Sequence, residues 1–110
     1  MAYDEDLADR IRMRVGGEDG VSEKRMFGGL AFLVGGNMAV AASGQGGLMV
    51  RVDPASSEEL VGGAGVTRME MRGREMDGWL RVTSAAVEDD AELDRWVGIG
   101  VGYARGLPAK

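Results

Sequence analysis

Glycine arrives in doublets. Gly16-Gly17, Gly28-Gly29, Gly35-Gly36, Gly46-Gly47 and Gly62-Gly63 cut the chain into short pieces. A glycine inside a helix or strand costs about 1 kcal/mol against alanine, so paired glycines end elements. The longest piece between the first and last doublet runs from Leu48 to Val61, 14 residues. Such pieces suit strands and one short helix, not a helical bundle. Met26 to Val50 also lacks any charged residue, yet its seven glycines break it into apolar runs. A membrane-spanning helix needs about 20 mostly apolar residues without such breaks, so hairpins are the expectation there.

The elements follow from this punctuation. Tyr3, Leu7, Ile11 and Val15 recur every four residues, which predicts a helix over 3–15. Its acids lie at the N-terminus and its arginines near the C-terminus, as the helix dipole favours. Strands are expected over Val21–Phe27, Leu30–Val34, Asn37–Ala42 and Leu48–Val52, with Gly35-Gly36 as a two-residue hairpin turn. Asp53-Pro54 opens a short helix, with Leu60 and Val61 as its buried residues and Gly62-Gly63 as its end. A last hairpin runs over Thr67–Arg72 and Glu75–Val82 about a Gly73-Arg74 turn, with Gly at the first turn position. Asp90 to Leu107 is the second main helix. Leu93, Val97, Gly100, Val101, Ala104 and Leu107 share one face, edged by Trp96 and Tyr103. The apolar strands call for helices over at least one face of the sheet. The fold class is therefore α+β in a single domain over 1–110.

Chemistry is narrowed by what is missing. With no Cys and no His, disulfides, thiolate nucleophiles, imidazole acid–base catalysis and the usual zinc and copper sites are excluded. A hard-metal site of carboxylates remains open. Two acidic clusters are available, Asp4/Glu5/Asp6/Asp9 and Glu88/Asp89/Asp90/Glu92/Asp94, but both stand at helix starts, where capping accounts for them. No signal peptide is visible, and the lack of Cys suits a reducing cytoplasm.

The net charge is −5, with 13 basic residues against 18 acidic. That field opposes nucleic acid and anionic lipid. Lys24, Arg25, Arg51, Arg68, Arg72, Arg74 and Arg81 nevertheless fall on strands or turns, where several can share a sheet face. Met69, Met71 and Met76 gather in one hairpin, as core or as an adaptable contact patch. Gly98, Gly102 and Gly106 fall on the polar side of the last helix beside Ile99. They are either a tolerated weakness or a close-packing seam for a partner helix.

Lys24-Arg25-Met26-Phe27-Gly28-Gly29, followed by Leu30-Ala31-Phe32 and the turn Gly35-Gly36-Asn37-Met38, resembles the TfoX/Sxy N-terminal domain family. Leu48 to Val52, Met69 to Val82 with Gly78-Trp79, and the ending Tyr103 to Pro108 resemble the rest of that family's pattern. Glu75 stands where the family often has Pro. The resemblance implies a mainly antiparallel sheet flanked by N- and C-terminal helices, similar to secretion-chaperone-like folds, with no catalytic residues and no cofactor. Two-domain relatives regulate natural competence together with the cyclic-AMP receptor protein at promoters; with Lys110 as the last residue given, the expectation is a stand-alone N-terminal-type domain without their helical C-terminal domain. The expectation is a non-catalytic, cytoplasmic regulatory or protein-interaction module. Its partner would be another protein such as a transcription regulator, or a second copy in a homodimer. The contact surface expected is the Arg-bearing sheet or the β-rich Met26 to Val50 region, with Lys24, Arg25, Met26, Phe27, Gly28, Gly29, Arg51, Arg72 and Trp79 as the motif and contact candidates. The alternative is direct nucleic-acid binding through an Arg-bearing sheet face.

Overall fold

The computed structural model describes residues 3–26, 28–61, 65–71 and 73–109. The first helix, α1, spans Glu5–Val15. Asp4 precedes it in an extended conformation and its carboxylate accepts from the Leu7 N–H at 3.1 Å, so the helix begins two residues after Tyr3. Leu7, Ala8, Ile11 and Val15 are its buried face.

Six strands follow in one sheet: β1 Val21–Met26, β2 Gly29–Val34, β3 Asn37–Ala42, β4 Leu48–Arg51, β5 Val66–Met71 and β6 Arg74–Val82. Their order is β1-β2-β3-β4-β6-β5, and every neighbouring pair is antiparallel. Between β4 and β5 a 3-10 turn, Pro54–Ser56, leads into the short α2, Ser57–Leu60. The final helix, α3, spans Asp90–Arg105, two residues shorter than the apolar pattern suggests, and is capped by the Asp89 carboxylate. The fold is thus α+β, an antiparallel sheet with N- and C-terminal helices.

Gly35 and Gly36 both take positive φ, 60° and 85°, as a tight two-residue hairpin turn demands. The last hairpin turns elsewhere than expected. Met71 pairs with Arg74, so the connection is 72–73 and Gly73 occupies its second position. Cross-strand register decides this, and a glycine read locally fits either frame. Arg72 lies outside the described residues, as do Phe27 and the Gly62-Gly63 doublet.

Both long helices cover one face of the sheet. Leu30, Phe32 and Val34 point there from β2, Val40 and Ala42 from β3, and Leu48 and Val50 from β4. Trp96, expected at the edge of the α3 face, is fully buried at 1% exposure. Its indole N–H finds no acceptor among the described residues. Ile99 also packs against this core rather than standing exposed.

Two bulges shape the sheet. In β3, Phe32 pairs with Val40 but Leu33 with Met38, so Ala39 is an extra residue. Ala39 and Val40 consequently both belong to the helix-side core. In β6, Arg68 pairs with Leu80 but Met69 with Met76, which leaves Asp77, Gly78 and Trp79 without partners in β5. The Gly78 N–H donates instead to Ser57 Oγ at 2.7 Å, and its carbonyl accepts from the Val52 N–H at 2.8 Å. Ser57 is therefore the fully buried residue of the short helix, while Leu60 and Val61 are half-buried.

Candidate functional site

The opposite face of the sheet has its own apolar cluster. Strand alternation sends Ala31, Met38, Ala41 and Met49 to this side, where all four are buried. Met26, Leu33, Met69 and Trp79 pack around them. Every one of these eight residues belongs to a strand. Among the described residues no helical residue belongs to this cluster.

Cross-strand register sets out the floor. Lys24, Ala31, Ala41, Met49, Arg81 and Thr67 form one row across all six strands. Small alanines occupy β2 and β3, with longer side chains on both sides, and the result is a trough. It comprises two adjoining hollows of about 540 and 550 Å³ that share Met26, Met38, Met49 and Met69. Volumes of that order suit a ligand or the side chains of a partner segment. Methionine is unbranched and polarizable, so a methionine-lined trough can reshape around varied apolar surfaces.

The two ends differ in charge. At one, Arg68 and Arg81 stand among Glu70, Glu75 and Gln45. Arg81 is anchored to the β3–β4 loop, donating to Gln45 Oε1 at 2.7 Å and to the Gly46 carbonyl at 3.2 Å. Arg68 Nε lies 3.4 Å from Asp77 Oδ1, an ion-pair distance without a hydrogen bond. The other end holds Lys24, Arg51 and Trp79 with no carboxylate in its lining. The Arg51 guanidinium lies 5.1 Å from the Trp79 ring centroid and 5.7 Å from that of Tyr103. Among the described residues neither Lys24 nor Arg51 has an ion-pair partner.

The acidic clusters and the arginines of α1 are engaged elsewhere. Arg10 donates to Asp90 at 2.8 Å, and Arg14 bridges Asp90 at 3.1 Å and Asp94, which joins α1 to the start of α3. Arg12 holds Glu23 of β1 through two hydrogen bonds of 2.6 and 2.9 Å. These bonds keep the Glu23 carboxyl below the usual carboxylate range, and that of Arg10 does the same for Asp90. Asp4, Asp53 and Asp89 cap helix starts. Among the described residues no group of three or more acids converges to hold a metal.

The sequence carries the same architecture as a recognised pattern. A family model described as the TfoX N-terminal domain matches residues 14–103. The chain belongs to the TfoX N-terminal domain family. Comparison with curated proteins and with solved structures returned no match.

In this TfoX N-terminal domain the Gly28-Gly29 signature meets backbone. A Cβ on Gly29 would stand 2.4 Å from the Ala42 carbonyl oxygen, and one on Gly44 would stand 2.7 Å from Gly28. The β1–β2 turn thus lies directly on the β3–β4 loop, and only glycine permits that approach. Of the sequence candidates, Lys24, Met26, Arg51 and Trp79 come together at the trough. Arg25 alternates onto the other side, exposed beside Leu30. Phe27 and Arg72 lie outside the described residues. Met38, Met49, Ala31 and Ala41 fall within the Met26 to Val50 region that the sequence offers as a contact surface, but no residue pattern singles them out. The signal for the region was the absence of charge across Met26–Val50. Gly98 and Gly102 are exposed with open space beside them. Among the described residues no helix is long and apolar enough to cross a membrane.

Proposed function

We propose that this domain is a non-catalytic interaction module that holds another protein on the face of its sheet opposite α1 and α3. One observation carries the reading. The fold covers one face of its sheet with α1 and α3, yet among the described residues the second apolar cluster on the other face includes no helical residue. A sheet buries an apolar face against another layer, and here a partner supplies that layer. The family's regulatory relatives and the lack of Cys and His support the same reading.

Direct nucleic-acid binding fares worse. The net charge is −5, and Arg10, Arg12, Arg14 and Arg105 are each paired with carboxylates. The test is a comparison of variants in native lysate. Met69→Glu and Met76→Glu place charge at the trough, whereas Met13→Glu alters an exposed residue of α1. With folding verified by circular dichroism, the trough variants lose the proteins that wild type and Met13→Glu retain. Identical captured sets from all four refute the reading.

A further inference from the structure

The two ends of the trough are chemically unequal, and that inequality specifies a partner. We infer that the trough seats an amphipathic helix of another protein, apolar on the face it buries and carrying Asp or Glu toward Lys24 and Arg51. The inference rests on the docking reading above and adds the shape and charge of what docks.

Shape comes from register. Lys24 on β1 and Arg81 on β6 stand in one row four strand steps apart. At about 4.8 Å per step that is roughly 19 Å from one end to the other, the length of about 12 residues of a helix laid across the strands. The floor beneath is Ala31 and Ala41, small enough for the larger apolar side chains of an incoming helix to descend between Met38 and Met49.

Charge comes from what is left unpaired. On a chain of net charge −5 most arginines find carboxylates, but Lys24 and Arg51 sit at an apolar surface with none in its lining. Arg51 is held beside Trp79 and Tyr103, so its guanidinium is oriented before any partner arrives. A guanidinium fixed in this way donates to a carboxylate with little further loss of freedom. The opposite end is already balanced by Glu70 and Glu75, so selection for acid is confined to one end.

The test uses short synthetic helical peptides that share one Leu/Ala face and carry Glu, Gln or Lys on the flanking positions. Binding is read from the methionine methyl NMR signals of the intact domain. The Glu peptide is expected to shift Met26, Met38, Met49, Met69 and Met76 and to leave Met13 on α1 unmoved. Its affinity should exceed that of the Lys peptide by about tenfold at low salt and converge with it as salt rises. Lys24→Gln with Arg51→Gln should erase this preference while the Gln peptide binds as before. Equal affinities for the three peptides in wild type would overturn the acidic partner and leave the docking trough standing. Trough methyls that move with no peptide would overturn both readings. Trough methyls that move with the domain's own concentration would make a second copy the occupant and overturn the inference.

Discussion

Gly100 of α3 lies against the Ala39 carbonyl, so close that an added Cβ would stand 2.5 Å from that oxygen and 2.8 Å from Val40 Cγ1. The contact exists because the β3 bulge pushes Ala39 out of register toward the helix. Gly100→Ala should therefore destabilise the domain by about 1–2 kcal/mol, overpacking outweighing the gain in helix propensity. Chemical denaturation of the single variant measures it, and a variant as stable as wild type would contradict the close approach.

The same helix offers the opposite sign half a turn away, on its other side. A Cβ at Gly98 or Gly102 meets nothing within 4 Å. Alanine at both positions should stabilise the domain by about 1–2 kcal/mol in total. Light scattering on the same samples tests whether the stripe is a seam between copies. Unchanged mass with raised stability means that it is not.

Ser57→Ala removes the only acceptor the buried Gly78 N–H has among the described residues. A buried donor left without a partner costs about 1–3 kcal/mol. The variant should also loosen the β6 bulge, visible as faster amide exchange at Gly78 and Val52.

Acid should weaken the ties between α1 and its neighbours. Glu23 and Asp90 are both held below their ordinary carboxyl range by hydrogen bonds from Arg12 and Arg10. Their unfolded forms take up protons first on acidification. The stability they contribute is thus full at neutral pH and is lost as pH falls from about 5 toward 3. Denaturation midpoints across that range should fall less steeply for Glu23→Gln with Asp90→Asn than for wild type. Both side chains are largely solvated, so the difference should shrink in salt.

How much of this was legible depends on whether local pattern or register decides the outcome. The α1 face could be read from Leu7, Ile11 and Val15 alone, and the Gly35-Gly36 turn from two residues. Gly73 reads locally as the first turn position and is the second, because the pairing of Met71 with Arg74 is a cross-strand fact. Ser57 read as a polar residue near a helix start, and its burial depends on a bulge in a strand 21 residues away. The trough was hidden for a related reason. Strand β3 shows an almost unbroken apolar run, and the extra residue Ala39 shifts which of its side chains face the helices. Without that bulge's position, Met38 and Ala41 cannot be assigned to the open face.

The two tryptophans divide the molecule into its faces, which gives the trough an optical test. Trp96 is 1% exposed within the helix-side core, whereas Trp79 is half-buried on the trough, next to Arg51. A helix seated on the trough covers Trp79 while its carboxylate meets the Arg51 guanidinium already held beside that ring, so Trp79 loses water. Trp96 is 1% exposed in the core on the other side of the sheet, out of reach of a partner on the trough. Titration with the Glu-bearing peptide should therefore shift wild-type fluorescence toward the blue, and Trp79→Phe, with Trp96 as its sole indole, should show no shift. Trp96→Phe should retain the wild-type response if it folds. A shift that persists in Trp79→Phe would place the contact on the helix-covered face, where Gly98 and Gly102 leave α3 smooth.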